Sequence, residues 1–122
     1  MADISYSVTV AVNKDNLSNN ISASSVTATM NNAGLKSVTY TLTTNAVSIS
    51  TANLTAVGLA FLRNLSTATA ATAQFGISAG GSFGSFCTLR AGEPAVLRLS
   101  AGTDYAAIGN AGSRLRVDIL EG

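Results

Sequence analysis

The amino-acid sequence predicts an all-β protein, an antiparallel β-sandwich of roughly eight to ten strands with jelly-roll packing. Three observations predict it. Apolar and polar residues alternate with period two over short runs, β-branched residues dominate those runs, and turn residues recur at short intervals. Helical spacing is nowhere sustained, and no interval leaves room for a crossover helix. We expect the 122 residues to form a single domain, 1–122, with a core of its own.

The N-terminal part of that domain reads as a meander of strands. Its first strand alternates apolar residues with small polar ones, which is typical of a strand with one buried face. A second strand is expected over residues 21–30. Residues 1–53 are rich in Ser, Thr and Asn, whereas residues 54–122 are more apolar. The apolar positions of the first strand are Ile4, Tyr6, Val8, Val10 and Val12.

Three apolar strands are expected in the first half of the segment 54–122: a middle one with Ala71, Ala73, Phe75 and Ile77 on one face, and an earlier and a later one on either side of it. In the earlier one, Val57, Leu59 and Phe61 share the predicted inward face, and the strand leaves the core or bulges before Arg63. In the later one, strict alternation places four residues on one face and Phe86 and Arg90 on the other. The four are Phe83, Ser85, Leu89 and the single cysteine, Cys87. A partly apolar environment of this kind predicts an inert core thiol.

A corner follows at residues 91–94, Ala-Gly-Glu-Pro. Pro94 is the only proline, and its fixed φ and missing N–H suit the first residue of a strand or an edge strand. After it, Ala95, Leu97 and Leu99 fall on one face of a strand, with Arg98 on the other. One face of this strand therefore belongs to the core, and the other meets a polar environment.

The arginines supply the candidate functional residues. In the last strand, alternation with Leu115, Val117 and Ile119 turns the polar residues outward, as it does for Arg98, and the two strands would form one basic patch if they were neighbours. Arginine's planar guanidinium suits ion pairs at protein interfaces. A solvated outer face is an equally open interpretation. The candidate interface residues are Arg90, Glu93, Arg98, Arg114, Arg116 and Asp118.

Catalysis and cofactor binding are not expected. The chain has no histidine, which removes Ser-His-Asp and Cys-His catalysis and His-ligated metals. A glycosidase would need two carboxylates across a cleft, and Glu93 with Asp104 is the one pair to consider, although solvated loop carboxylates fit both better. The glycine-rich segment 76–84 lacks the Lys-Ser/Thr and the helix of a phosphate loop. We therefore expect no enzyme activity, cofactor or metal.

The charge composition indicates which kinds of partner the chain could bind. Net charge is +1, without a basic run, which argues against nucleic-acid binding, and no segment is apolar enough for a membrane span or an export signal. Only 11% of residues are charged, against about 25% in ordinary soluble domains. Such a surface suits a protein that packs against other subunits, although a secreted β-protein can look the same. The lone Cys87 permits no internal disulfide and fits a reducing compartment.

Five segments of the C-terminal half resemble small virion structural proteins of tailed bacteriophages. They are an Arg-Asn-Leu segment, a strand ending in Gly-Ile, a Leu-x-x-Gly-Glu turn, a Tyr-Ala segment and a final Leu-x-Val-x-Ile strand. Their positions here are Arg63–Leu65, Gly76–Ile77, Leu89–Glu93, Tyr105–Ala106 and Leu115–Ile119. Residues 1–53 match no pattern of this family.

The resemblance implies a non-enzymatic sandwich that acts as a capsid decoration (cement) protein, or as a component of the neck or tail. Its expected partner is the major capsid protein or another virion protein, its expected location is the virion assembled in the host cytoplasm, and a homo-oligomer, with a trimer favoured, is expected by analogy. The alternative is a carbohydrate- or receptor-binding sandwich. That alternative is disfavoured because sugars stack on exposed aromatic rings, Trp is absent, and two of the three tyrosines are in phase with core residues.

Overall fold

The computed structural model describes residues 3–30, 32–51, 54 and 56–122, which form ten strands and no helix. The predicted all-β class is therefore confirmed. Of the Ser/Thr/Asn-rich segment 1–53, residues 1, 2, 31, 52 and 53 lie outside the described residues. The strands are β1 (Ile4–Lys14), β2 (Leu17–Ala28), β3 (Leu35–Thr41), β4 (Val47–Ile49), β5 (Val57–Asn64), β6 (Thr72–Ala79), β7 (Ser82–Arg90), β8 (Pro94–Arg98), β9 (Tyr105–Gly109) and β10 (Arg114–Glu121).

The chain divides into two compact units, Met1–Asn31 and Asn32–Gly122. The first unit contains one antiparallel hairpin, β1–β2, and the second contains the other eight strands. The boundary falls within the Ser/Thr/Asn-rich segment 1–53.

The hairpin is longer than its sequence pattern predicts. Its strands continue through the polar residues around the turn, which is reduced to Asp15 and Asn16, with Asp15 at a φ of 52°. Short polar side chains such as Asp tolerate this left-handed conformation. A bulge places Ser24 and Ser25 of β2 opposite the single residue Ser7 of β1, and Ser25 donates its backbone N–H to Ser7 Oγ at 3.2 Å.

The second unit consists of two four-stranded antiparallel sheets. The front sheet has the order β3-β10-β5-β8, and the back sheet has the order β4-β9-β6-β7. The pairing is nested: the first strand of this unit pairs with the last, the second with the second to last, and so on. The pairs are β3–β10, β4–β9, β5–β8 and β6–β7. The pairs β5–β10 and β6–β9 then complete the sheets. Pro94 begins the edge strand β8, as its chemistry predicts.

One hydrophobic cluster draws side chains from both sheets, as in a β-sandwich. Leu62 and Leu115 of the front sheet and Phe75 of the back sheet are among its fully buried members. The Phe75 ring stacks on the Tyr105 ring with centroids 5.5 Å apart. The Tyr105 hydroxyl accepts a hydrogen bond from the Ser100 backbone N–H at 2.7 Å, which satisfies the polar end of a buried ring.

Two bulges in this unit change the faces expected from strict alternation. The register of β5 against β10 shifts between Ile119 and Glu121, and Ala60 and Leu62 face the core while Phe61 is 38% exposed. The expectation that Phe61 points inward was therefore wrong. The register of β6 against β7 shifts after Phe75, which pairs with Cys87, so Phe83 and Ser85 lie on the opposite face from Cys87 and Leu89. The predicted common face of those four residues was wrong for the same reason.

Candidate functional site

The outward side of the front sheet carries most of the arginines. Along β10, Arg114 and Arg116 are exposed and alternate with Leu115 and Val117, which are fully or almost fully buried. This is the alternation that the sequence predicts. It arises because successive side chains of a strand point to opposite faces and only one face meets the core.

Arg98 lies on the same outward side, but β8 is not a neighbour of β10. β5 lies between them and adds Phe61 and Arg63 to the surface. Phe61 pairs with Asp118 of β10 on one side and with Val96 of β8 on the other, so Phe61 and Val96 form an apolar pair across β5 and β8. We call this surface the arginine face, and define it as Phe61, Arg63, Val96, Arg98, Arg114, Arg116 and Asp118.

The charges of the arginine face are unbalanced. Arg116 Nε lies 2.9 Å from Asp118 Oδ2, and the Asp118 side chain is only 17% exposed. Its second oxygen, Oδ1, is buried and has no hydrogen-bond partner among the described residues. Arg63 lies directly opposite Arg116 in the ladder, and like charges in that position repel. The arginine face thus carries four arginines and one carboxylate, which pairs with Arg116, on a chain whose total net charge is +1.

The other two predicted interface residues lie elsewhere. Arg90 ends β7 in the back sheet, and Glu93 belongs to the turn that leads from β7 to β8. The Glu93 carboxylate accepts a hydrogen bond from the Arg90 backbone N–H at 2.6 Å, while the Glu93 N–H donates to the Arg90 carbonyl at 3.0 Å. Gly92, at a φ of 81°, completes this turn. Glu93 is thus the residue that closes the corner between the two sheets.

Asn64, which the sequence did not single out, holds the same corner from inside. It is fully buried. Its side-chain amide donates to the carbonyl oxygens of Ala71 and Leu89, and its Oδ1 accepts from the Ser66 N–H at 3.0 Å. Its backbone bonds to Gly92 and Glu93. A polar residue in phase with buried Ala60 and Leu62 is the sequence signal that could have identified it, because a buried amide must be hydrogen-bonded.

These bonds bring together two of the segments that carry the family resemblance. The Arg-Asn-Leu segment supplies Asn64, and the Leu-x-x-Gly-Glu turn supplies Leu89, Gly92 and Glu93. Both segments therefore have a structural function at this corner, with Arg63 as the exposed exception.

The carboxylates Glu93 and Asp104 do not form a catalytic pair. Glu93 bonds to Arg90, which pairs with Thr72 at the start of β6, whereas the Asp104 carbonyl accepts from the N–H of Ser78 near the end of β6. Glu93 therefore lies beside the start of β6 and Asp104 beside its end, and the six residue steps from Thr72 to Ser78 span about 20 Å. Two carboxylates that act on one glycosidic bond lie about 5–9.5 Å apart. Among the described residues, no group of three or more His, Cys, Asp or Glu side chains could hold a metal ion.

The Cys87 thiol is half-buried against the core, as expected. Burial raises its pKa above the ordinary value, and the negative charge of nearby Glu93 raises that pKa further. The thiolate is the reactive form, so both effects make Cys87 a poor nucleophile at neutral pH.

Comparison with known proteins assigns no relative to this chain. No protein-family model, no curated protein and no solved structure matches it. Among the described residues, no helix is long and apolar enough to cross a membrane.

Proposed function

We propose that this chain is a non-enzymatic structural protein of a virion, a capsid decoration (cement) protein that binds the shell of a tailed bacteriophage and stabilises it. The observation that carries the proposal is the arginine face: four arginines around the apolar pair Phe61 and Val96, with a single carboxylate, on the outward side of a hydrogen-bonded sheet. Rigid sheet faces present side chains in fixed positions, which suits binding to a repeated surface. Low overall charge supports the same proposal.

We further propose that the eight strands of the second unit form a jelly roll. In that fold a long antiparallel hairpin is rolled into two four-stranded sheets, each strand pairing with its counterpart on the returning half. The pairs β3–β10, β4–β9, β5–β8 and β6–β7 have this relationship. The partner is the major capsid protein or another virion protein, and a homo-oligomer, with a trimer favoured, is the proposed assembly.

Purified particles test this function directly. Mass spectrometry of intact virions should detect the chain in a fixed ratio to the major capsid protein, with many copies per particle. A few copies per particle would instead favour a neck or tail component. Absence from particles that are otherwise complete would refute both virion functions.

A carbohydrate- or receptor-binding sandwich is the alternative, and two of the three tyrosines argue against it. Tyr105 is 6% exposed and its ring is stacked on Phe75. Tyr40 is half-buried, and its hydroxyl accepts a hydrogen bond from the Ser50 N–H. Neither ring is available to stack on a sugar. Specific hits on a glycan array at micromolar strength would favour this alternative.

A further inference from the structure

A cleft of about 370 Å³ lies between two loops of the second unit. One loop leads from β5 to β6, and the other leads from β9 to β10. We call it the loop cleft and define it by the residues that line it, 66–68, 70, 71 and 110–114. Every one of them belongs to the unit Asn32–Gly122. Small-molecule sites have volumes of about 300–1,000 Å³, so the loop cleft is large enough for a small ligand.

Hydrogen bonds between and within the two loops fix the walls of the loop cleft. The Arg114 backbone N–H donates to Ser66 Oγ at 3.1 Å, which joins one loop to the other. Asn110 Oδ1 accepts from the N–H and from the hydroxyl of Thr72, at 2.9 and 3.1 Å. The Ser113 N–H donates to the Asn110 carbonyl oxygen at 2.9 Å. The loop cleft is therefore formed by the chain's own contacts, as ligand sites usually are.

One hydroxyl at the loop cleft has no partner in the part of the chain that the structure describes. Ser113 lines the cleft and is 3% exposed, and its Oγ atom is buried without a hydrogen bond. The one other such atom among the described residues, Asp118 Oδ1, belongs to the arginine face. Buried polar groups are almost always hydrogen-bonded, and leaving one unsatisfied costs free energy. A ligand that accepts a hydrogen bond from the Ser113 hydroxyl would remove that cost.

Two further side chains of the loop cleft have donors that the chain does not use. The Asn110 NH₂ group donates no hydrogen bond to a described residue, since the contacts with Thr72 use only its oxygen. The Arg114 guanidinium forms no ion pair within the described residues. The acceptors Asn110 Oδ1 and Ser66 Oγ, by contrast, are already engaged. No carboxylate is among the described residues that line the cleft. The loop cleft therefore offers one positive charge and several donors, without a competing negative charge.

We infer that the loop cleft binds a small oxyanion of the phosphate or sulfate type. Arg114 supplies the positive charge, and its planar guanidinium matches the geometry of phosphate oxygens. The Ser113 hydroxyl and the Asn110 NH₂ group supply neutral donors. A metal cation fits the cleft poorly, because hard cations take carboxylate and carbonyl oxygens and no described lining residue carries a carboxylate. A sugar also fits poorly, because no described lining residue has an aromatic ring on which it could stack.

Titration of the full chain with inorganic phosphate, followed by two-dimensional NMR at constant ionic strength, tests the inference. The amide resonances of residues 66–68 and 110–114 should shift and reach saturation below about 50 mM phosphate, as expected of a ligand with few contacts. Arg114→Gln should weaken the affinity about tenfold or more, because it removes the charged donor. Arg98→Gln removes an exposed arginine outside the loop cleft and should leave the affinity unchanged. Shifts that do not saturate, or equal weakening by the two variants, would overturn the inference.

Thermal unfolding of Ser113→Ala tests the unpartnered hydroxyl separately. Without phosphate the variant should be at least as stable as the wild type, because the deleted hydroxyl has no hydrogen bond to lose. Ser66→Ala is the matched control and should be less stable, since Ser66 Oγ accepts from the Arg114 N–H. Phosphate should then raise the melting temperature of the wild type more than that of Ser113→Ala.

Two results of this comparison would overturn the inference. A Ser113→Ala variant that is destabilised without phosphate would show that the hydroxyl is already bonded in the free protein. An equal rise in melting temperature for both proteins would show that the hydroxyl does not contact the anion. Both experiments use the free chain, so neither depends on the proposed virion function.

Discussion

The Asn64 side-chain amide donates a hydrogen bond to the backbone carbonyl oxygen of Leu89 at 3.1 Å, which connects the end of β5 with the end of β7. The two strands belong to different sheets. This buried amide, together with the Glu93 turn, fixes where the chain passes from the back sheet to the front sheet.

Replacing Asn64 with Ala should therefore destabilise the protein strongly. The carbonyl oxygens of Ala71 and Leu89 would lose a donor, and unsatisfied buried groups together with the lost volume cost about 2–4 kcal/mol. Urea unfolding followed by circular dichroism measures this loss. Asn45→Ala is the matched control, since Asn45 is exposed and bonds through its backbone. An equal, small effect of both substitutions would contradict the structural function of Asn64.

Gly76 and Gly84 should respond differently to alanine. A Cβ on Gly76 would collide with the backbone carbonyl oxygen of Gly84 and with Ser85 Cα, whereas a Cβ on Gly84 meets nothing within 4 Å. We expect Gly76→Ala to cost about 1–3 kcal/mol, because backbone atoms must move. Gly84→Ala should be neutral or slightly stabilising. Thermal unfolding of the two variants measures the contrast, and a Gly76→Ala variant as stable as the wild type would disprove the close approach of β6 and β7.

Charge repulsion on the arginine face predicts a substitution that stabilises the isolated protein. Arg63 lies opposite Arg116, so Arg63→Gln should raise the free energy of unfolding by about 0.3 kcal/mol at low salt. The gain should vanish in about 0.5 M salt, where exposed charges are screened. Arg63→Lys keeps the charge and serves as the control. A loss of stability in Arg63→Gln at low salt would mean that attraction to Asp118 outweighs the repulsion.

The proposed attachment function predicts that Arg98→Ala and Arg116→Ala weaken binding to the capsid without an equal loss of folding stability. We expect Arg98→Ala to change the melting temperature of the free protein little, since Arg98 is exposed. Arg116→Ala should lower it only slightly, since the Arg116 side chain is 52% exposed and such pairs contribute about 0–1 kcal/mol. Each should weaken binding to capsid particles, where truncating a desolvated interface charge costs about 2–5 kcal/mol. Co-sedimentation with particles measures the binding, with Lys14→Ala as a control outside the arginine face. Lost stability with attachment intact would assign these arginines a structural function.

The raised pKa of the Cys87 thiol predicts that the free energy of unfolding depends on pH. Its pKa is raised in the folded protein, so folding favours the protonated thiol, and this contribution is complete below the pKa of the unfolded chain. It is lost as pH rises through the higher folded pKa. The stability advantage of wild type over Cys87→Ala should therefore shrink as the pH rises above about 8.5, the pKa of an unperturbed thiol. Urea unfolding at several pH values measures it. An advantage independent of pH would contradict the raised pKa.

The sequence was sufficient for the all-β class, for the strand that begins at Pro94 and for the outward direction of Arg114 and Arg116, because alternation is local, but it did not predict β9. Leu115 and Val117 are buried and Arg114 and Arg116 exposed, as period two requires. It was not sufficient across bulges. One inserted residue reverses the face of each residue beyond it, and this is why Phe61 was placed in the core.

Strand neighbours and buried polar contacts were also beyond the sequence. β8 and β10 are separated by β5, and this order depends on pairings between distant segments that no local pattern encodes. The contacts of Asn64 were not predicted, since its acceptors at Ala71 and Leu89 become visible only once β5, β6 and β7 are assembled. The placement of Arg63 beside Arg116 follows from the same distant pairing.

The nested pairing of the eight strands also sets the order in which they can assemble. β6 and β7 are joined by a tight turn at Gly80 and Gly81, so their ladder is the one that closes a short loop. β10 bonds to both β3 and β5, yet β5 ends at Asn64 and β10 begins at Arg114. The front sheet therefore cannot complete its ladders until the chain as far as Glu121 is available. Folding should start at the β6–β7 turn, proceed outward, and be slow, as in other proteins whose contacts join distant segments.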